Sequence, residues 1–196
     1  AGEVVALVCG AEQGLVTVGC SAAQVLMVAA CMTGQSENNV EQLPDTTGMK
    51  NEVVLFKGQR NRYDKAFVTA GAKLVLYGSE HEGTTDELEA VINENTACVA
   101  FVIMPFGLHG VGLEETIRVA HERGVPVIVD AAAELPPRAN LSKFHKMGAD
   151  MVAFSGGKGI GGPQSSGLLA GKADLVEAAV MNSLNLDSSV AGIGRP

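Results

Sequence analysis

The chain has 196 residues, of which 46% are hydrophobic and 18% are charged, and its net charge is −8. This length is enough for one sizeable core or at most two small ones, and the hydrophobic content excludes a disordered chain. Only 4% of the residues are aromatic, Trp is absent and no basic tract occurs, so the composition argues against a nucleic-acid partner.

Apolar runs of strand length alternate with helical patterns along most of the chain. In its first half we predict a strand at 14–18, a helix at 20–32, a loop at 35–51, a strand at 52–56, a helix at 60–70, a strand at 73–77 and a helix at 84–92. In its second half we predict a strand at 97–104, a helix at 113–123, a strand at 125–129, a helix at 141–147, strands at 151–154 and 166–170, and a helix at 173–181. The last two strands would form a hairpin.

The predicted strands are apolar along their whole length, which is typical of a mostly parallel sheet covered by helices on both faces. We therefore expect the α/β class, in a three-layer α/β/α arrangement. In such sheets ligands bind beyond the carboxyl ends of the strands, and the unusual polar residues of this chain follow those ends.

The sequence has no membrane, disulfide or metal pattern. Its richest apolar stretch, residues 22–32, is too short to span a bilayer, and no secretory signal opens the chain. The four cysteines contain no C-x-x-C pair, and the four histidines have no metal-ligand spacing. We predict a cytoplasmic protein with no bound metal and no membrane contact.

The ends of the chain do not resemble natural termini. It begins at Ala1 rather than Met, and it stops at Pro196 directly after the loop A-G-I-G-R. We expect these residues to be an excerpt of a longer protein.

Two apolar runs each end in a polar side chain, and a lysine follows the second. The run V-P-V-I-V ends at Asp130, the run M-V-A-F ends at Ser155, and Lys158 lies in a glycine-rich loop beyond it. A buried acid, a hydroxyl and a lysine at neighbouring strand ends can hold a pyridine nitrogen, a phosphate and an aldehyde. Pyridoxal 5'-phosphate (PLP) contains these three groups. The small A-A-A segment after Asp130 leaves room for a flat ring.

Each of these residues also has a plainer interpretation. Asp130 could cap a helix or form an ion pair at the rim of the sheet, and Lys158 could be a solvated lysine in a flexible loop. A Walker A loop is disfavoured, because that motif needs Ser or Thr directly after the lysine and Gly159 stands there.

Gly19, Cys20 and Ser21 lie between a predicted strand and an apolar helix. Free N–H groups and the dipole at a helix start favour an anion, and Ser21 adds a hydroxyl. The plainer interpretation is an ordinary helix cap. Cys20 fits a small buried filler better than a nucleophile, because no histidine is near it in sequence.

A second polar cluster, Gln59, Arg60 and Arg62, occurs in the segment G-Q-R-N-R-Y-D. These side chains could contact a substrate phosphate or carboxylate, or they could form the solvated start of a helix. The sequence leaves both interpretations open.

Five segments resemble fold-type I PLP-dependent enzymes, and more narrowly the selenocysteine-synthase-like group that includes D-glucosaminate-6-phosphate ammonia-lyase. They are L-V-T-V-G-C-S-A-A (15–23), L-P-D-T-T-G-M-K-N-E-V (43–53), G-Q-R-N-R-Y-D-K-A (58–66), V-P-V-I-V-D-A-A-A-E-L-P-P (125–137) and F-S-G-G-K-G-I-G-G-P-Q-S-S-G (154–167). The resemblance extends over nearly all of the chain. The last two segments are specific in order and spacing, and the second points to the ammonia-lyase-like branch.

The resemblance implies a role for most of the residues singled out above. Lys158 would form a Schiff base with PLP, Asp130 would pair with the pyridinium nitrogen, and Ala132 would lie under the ring. The residues around the cofactor phosphate would be Gly19, Cys20, Ser21 and Ser155. Gln59 would lie at the ring, where such proteins often have a histidine, but glutamine cannot take over proton transfer.

The resemblance further implies that residues 1–196 form a PLP-binding large domain, completed by a small domain built from segments at both ends, in a homodimer. The activity would be that of a PLP-dependent lyase, which eliminates water and ammonia from an amino sugar acid phosphate held by Arg60 or Arg62. The alternatives are a selenocysteine-synthase-type transferase and a non-catalytic protein of PLP fold. A nucleotide-binding α/β domain is less favoured, because no intact G-x-G-x-x-G loop is present.

Overall fold

A computed structural model describes residues 1–104 and 110–183. Within them, seven strands form one sheet in the order β1-β7-β6-β5-β4-β2-β3. The strands are β1 (Gln13–Thr17), β2 (Glu52–Phe56), β3 (Lys73–Tyr77), β4 (Thr96–Val102), β5 (Val127–Asp130), β6 (Met151–Ser155) and β7 (Gly167–Gly171). Every predicted strand is therefore present, with shifts of one or two residues at some ends.

The sheet is mostly parallel, as predicted. Strands β3, β2, β4, β5 and β6 pair in parallel, and β7 runs antiparallel to both β6 and β1. The predicted hairpin of β6 and β7 is thus confirmed. Because β1 is antiparallel to β7, it runs in the same direction as β6, so the carboxyl ends of β1, β5 and β6 lie at one edge.

Helices cover both faces of the sheet and complete the predicted three-layer arrangement. They are α1 (Gly2–Cys9), α2 (Cys20–Thr33), α3 (Glu37–Gln42), α4 (Lys65–Thr69), α5 (Thr85–Val91), α6 (Leu113–Glu122), α7 (Asn140–Lys146) and α8 (Ala173–Met181). One core cluster contains buried side chains of α1, α5, α6 and α7, and the other contains those of α2, α4 and α8. On β2, Val54 belongs to the first cluster and Val53 to the second, so the strand is apolar throughout because both faces are buried.

Three helical regions differ from the predictions. α3 lies inside the predicted loop at 35–51, and α1 has no predicted counterpart. The predicted helix at 60–70 is a 3₁₀ turn, Arg62–Asp64, followed by the short α4, and another 3₁₀ turn, Lys57–Gln59, precedes this range. The Asn61 side chain accepts a hydrogen bond from the backbone N–H of Tyr63 at 2.8 Å. This local bond competes with the α-helical pattern and delays the helix.

Within residues 1–104 and 110–183, no helix combines the length and apolar character needed to cross a bilayer. The same residues contain no group of three or more His, Cys, Asp or Glu side chains that could hold a metal ion.

Candidate functional site

A cavity of about 250 Å³ opens at the edge where β1, β5 and β6 end. Seven of the residues predicted from the sequence line it: Gly19, Cys20, Ser21, Asp130, Ala132, Ser155 and Lys158. They come from three separate segments of the chain. The parallel direction of β1, β5 and β6 brings them together, because each segment directly follows one of these strands.

Asp130 is the acid at the floor of this cavity. It is the last residue of β5, and it is only 8% exposed. Its Oδ1 accepts the backbone N–H of Ala132 at 3.0 Å and faces the Cys20 thiol at 3.8 Å. Burial raises the pKa of the Asp130 carboxyl, and the Ala132 N–H and the Lys158 charge act in the opposite direction. A cationic partner beside this carboxyl would stabilise its charged form.

The start of α2 provides a site for an anion. Its cap residue, Gly19, has φ 110° and ψ 161°, a conformation that glycine alone adopts without strain. Thr17 Oγ1 donates to the Gly19 carbonyl at 2.9 Å and fixes the turn between β1 and the helix. α2 has no side-chain cap, so its first N–H groups and its dipole are available to a ligand beside Ser21.

Lys158 is exposed in a loop whose backbone is held by hydrogen bonds. Gly156 donates its N–H to the Ser166 carbonyl at 2.8 Å and accepts the Gly162 N–H at 2.8 Å. The Gly161 N–H donates to the carbonyl of Lys158 itself at 2.9 Å. A Cβ at Gly159 would collide with the Leu135 carbonyl oxygen. The glycines therefore allow a tight loop that presents one lysine side chain at the cavity.

Gln59, Arg60 and Arg62 do not line this cavity. Gln59 is buried, and its Oε1 accepts the backbone N–H of Val102 at 3.2 Å, which ties the segment after β2 to the end of β4. Arg60 forms an ion pair with the buried Asp64. Arg62 lines a separate groove next to the cavity. The cofactor or substrate roles of all three stay predictions.

The sequence analysis missed four polar residues that line the cavity: Gln24, Tyr63, Gln164 and Ser165. Gln24 had a detectable signal, because it is the single amide in a helix of otherwise small or apolar residues. It lies four residues after Cys20, which places both on one helix face. Tyr63, Gln164 and Ser165 stand in polar segments where nothing distinguishes them from solvated loop residues.

Cys20 keeps its proton in this environment. Burial raises the pKa of its thiol above the ordinary value, and the neighbouring Asp130 carboxylate raises it further. A thiol of this kind is a poor nucleophile, because the thiolate is the reactive form. The structure therefore supports the interpretation of Cys20 as a small filler.

The residues present fit PLP. The N-terminus of α2 and the Ser155 hydroxyl offer donors for a phosphate, and Asp130 offers a carboxylate for a pyridine nitrogen. Ala132 leaves space for a ring, and Lys158 supplies an amine for an aldehyde. The cavity of about 250 Å³ is near the lower end of the range for small-molecule sites.

Comparisons with known proteins identify relatives that match most of this chain. The chain is 33% identical over 204 residues to a 5'-C-glycyluridine monooxygenase-decarboxylase of Streptomyces sp, covering 100% of this chain and 48% of the relative. It is 34% identical over 185 residues to the D-glucosaminate-6-phosphate ammonia lyase of Salmonella typhimurium, covering 90% of this chain and 48% of the relative. The chain therefore spans about half the length of the curated relatives it matches.

A solved structure of D-glucosaminate-6-phosphate ammonia-lyase superposes on this chain with a TM-score of 0.86 at 33% identity. The superposition covers 92% of this chain and 49% of the other. The sequence profile of the family Aminotransferase class-V matches residues 12–186. These matches confirm the predicted fold and indicate PLP as the cofactor. The chain belongs to the class-V aminotransferase family of fold-type I PLP-dependent enzymes.

Proposed function

We propose that this chain is the cofactor-binding region of a PLP-dependent lyase that eliminates water from an amino sugar acid phosphate and then releases its amino group as ammonia by hydrolysis, which takes up one water again. The observation that carries the proposal is the convergence of Lys158, Asp130 and the free N-terminus of α2 on one cavity. The similarity to D-glucosaminate-6-phosphate ammonia-lyase, in sequence and in fold, supports the choice of reaction and substrate class.

When bound, PLP supplies an electron sink for a carbanion at the α-carbon of an amino acid. The Asp130 carboxylate favours a protonated pyridine nitrogen, which makes the ring a better acceptor of electrons. The Lys158 amine holds the cofactor and then removes the α-proton of the substrate as a general base. The floor around Asp130 is buried, which strengthens the attraction between its carboxylate and a cation.

The groove beside the cavity supports a substrate with a phosphate group. It has a volume of about 310 Å³, and it shares Ser21 and Tyr63 with the cofactor cavity. Arg62 and Lys65 contribute two cations to its lining. Arg60 is engaged with Asp64, so Arg62 is the arginine that we assign to the substrate phosphate.

The whole protein's activity involves more than these residues. We propose that residues 1–196 form the PLP-binding large domain of a cytoplasmic homodimer, in which further segments and the partner subunit complete the substrate site. The relative from Streptomyces sp carries the name of a different reaction at nearly the same identity. The reaction must therefore be established by product analysis.

Replacing the lysine tests the proposal. We expect full-length protein with PLP to absorb at about 420 nm, because a protonated PLP Schiff base in a protein site absorbs in this region. Lys158→Ala should abolish that band and lower ammonia release from D-glucosaminate 6-phosphate by about 10²- to 10⁴-fold, since it removes the general base.

Lys146→Ala is the control, because Lys146 is exposed at the end of α7, outside the cavity. That variant should keep both the band and the activity. If wild-type protein takes up PLP but releases no ammonia from the sugar acid phosphate, the proposed reaction is wrong. A band that persists in Lys158→Ala would remove the proposed role of this lysine.

A further inference from the structure

Gln24 is a buried amide without an obvious structural reason. It lies one turn into α2, it is only 2% exposed, and the helix around it consists of small and apolar residues. A buried polar side chain costs free energy unless its hydrogen bonds are made. The position therefore calls for an explanation that packing alone does not give.

The amide group of Gln24 reaches the acid at the cavity floor. Its Nε2 donates toward Cys20 Sγ at 3.8 Å, and Cys20 Sγ in turn faces Asp130 Oδ1 at 3.8 Å. Gln24 therefore reaches the Asp130 carboxyl through the Cys20 sulfur. Gln24, Cys20 and Asp130 thus form one contiguous polar group beneath the cavity.

The other end of the amide has no partner within the described residues. Gln24 Oε1 is fully buried, and no hydrogen bond in this part of the chain reaches it. A side chain chosen only for folding would not leave an acceptor buried and unpaired, because that loss outweighs the gain from one modest hydrogen bond. The N–H end of the amide is the end with a partner, and it faces Cys20.

We infer that Gln24 is a positioning residue that orients the Asp130 carboxyl and stabilises its charged form toward the pyridine nitrogen of PLP. The inference deepens the proposed function and rests on it for the role of Asp130. A neutral donor suits this place better than a cation, because a fixed positive charge beside the carboxylate would compete with the protonated pyridine.

The charged and titratable groups that face Asp130 are few. Cys20 approaches it from α2 and Lys158 from the loop after β6. Lys158 is committed to the cofactor in the proposed enzyme, so it cannot also serve as a constant partner of Asp130. Cys20 keeps its proton and Gln24 keeps its donor whatever the state of Lys158, so the contact that runs from Gln24 through Cys20 to this acid is the steady one.

The first experiment uses the protein without PLP. Gln24→Met keeps the length of the side chain and removes its donor, so the pKa of Asp130, followed by carboxyl ¹³C NMR, should shift upward. Gln24→Glu adds a second carboxyl in the same place and should shift it further upward, since like charges disfavour ionisation. Thr33→Val, another buried polar position on α2, should leave the Asp130 titration unchanged.

The second experiment uses full-length protein with PLP labelled with ¹⁵N at the ring nitrogen. In Gln24→Met the ring nitrogen signal should move toward the unprotonated pyridine, and PLP should bind about tenfold more weakly, the upper size expected for one ordinary hydrogen bond. Thr33→Val should retain the wild-type signal and affinity.

The two experiments separate failure of this inference from failure of the proposed function. If wild type binds PLP and both Gln24 variants keep the Asp130 titration and the ring nitrogen signal, the positioning role of Gln24 is overturned and the proposed function stands. If wild type takes up no PLP, the proposed function fails, and the titration of the protein without PLP alone decides whether Gln24 controls the ionisation of Asp130.

Discussion

At the scale of single residues, the Asp130 carboxyl at the cavity lowers the stability of the folded chain when it is charged. Burial raises the pKa of Asp130. A group whose pKa is raised on folding stabilises the fold at low pH, where it is protonated, and this benefit is lost as the pH rises through the raised value. Near neutral pH, Asp130 therefore costs stability in the protein without PLP. In the proposed enzyme, a bound pyridinium would offset that cost.

Asp130→Asn should have opposite effects on stability and on binding. Without PLP, the variant should be more stable than wild type near neutral pH, because it buries no charge. The difference should shrink as the pH falls toward about 4, the ordinary pKa of aspartate, where wild type is also neutral. PLP should bind about 10- to 100-fold more weakly, because the amide cannot pair with a pyridinium charge.

Urea unfolding at several pH values and a PLP titration measure these two effects. A variant that is no more stable than wild type at neutral pH would show that Asp130 is not strained by burial. Unchanged PLP affinity would show that the carboxylate does not contact the ring nitrogen.

The sequence identified residues of this site only where strand ends marked them. Asp130, Ser155 and Lys158 follow apolar strands, and the fold brings such ends together at one edge, so their convergence could be predicted. Gln24 was missed although the sequence carried a signal for it, because it is the single amide of α2 and lies one helical turn after Cys20. The position of Gln59 beneath β4 depends on how one loop folds back, which local sequence does not determine.

At the scale of elements, two helices begin with a glycine cap for different reasons. Gly19 caps α2 with φ 110°, whereas Gly112 caps α6 with φ −65°. A Cβ at either glycine would meet no atom within 4 Å. The two positions therefore differ in backbone conformation and not in available space. Only Gly19 uses a conformation that other residues rarely adopt, and it stands where the anion site begins.

Gly19→Ala should destabilise the fold by about 1–3 kcal/mol more than Gly112→Ala. Both variants lose a favourable cap residue, so that part of the cost cancels in the comparison. Only Gly19→Ala adds backbone strain. It should also weaken PLP binding, because relief of the strain moves the first N–H groups of α2.

Denaturant unfolding of both variants, with a PLP titration of each, measures the difference. Equal destabilisation by the two substitutions would mean that the backbone at residue 19 carries no strain.

The elements that sequence patterns predicted well are those with one dominant local signal. α5 begins at a capping box, in which Thr84 Oγ1 accepts the Glu87 N–H at 3.3 Å and the Glu87 carboxylate accepts the Thr84 N–H at 2.9 Å. The helix predicted at 60–70 had the right apolar spacing, but Asn61 bonded to its own loop and Arg60 paired with Asp64. Side-chain bonds of this kind override a periodicity that spans few residues.

At the scale of the whole molecule, the proposed cofactor site and the buried acid Asp150 lie at opposite edges of the sheet. The proposed cofactor site lies at the edge where β1, β5 and β6 end. At the opposite edge, Asp150 precedes β6 and is almost fully buried. The order of the strands that creates these two edges was not predictable, because it depends on pairings between distant segments, such as β1 with β7. Local patterns identify strands, but they do not choose partners at this separation.

Asp150, which directly precedes β6, contacts β5, α6 and the residue after β7 at that opposite edge. Its Oδ2 accepts the Val127 N–H at 2.6 Å and lies 2.7 Å from Nε2 of His121 at the end of α6. Its Oδ1 lies 2.6 Å from the ammonium of Lys172, which follows β7. The carboxylate thus holds the start of β5 to α6 and to the end of β7. Its hydrogen bond raises the pKa of Lys172, so the pair stabilises the fold below the ordinary lysine pKa and loses that contribution as the pH rises through the raised value.

Asp150→Ala should therefore destabilise the protein by about 2 kcal/mol near neutral pH, since it leaves the buried Val127 N–H without its acceptor and removes the partner of the half-exposed Lys172 ammonium. The difference from wild type should narrow in strongly alkaline solution, where Lys172 is neutral. Glu115→Ala, which breaks an exposed pair with Arg118 on α6, is the control and should leave the urea midpoint nearly unchanged. If Asp150→Ala unfolds at the same urea concentration as Glu115→Ala, the Asp150 carboxylate contributes no more stability than an exposed ion pair. The amino-terminal edge of the sheet would then be held by packing alone.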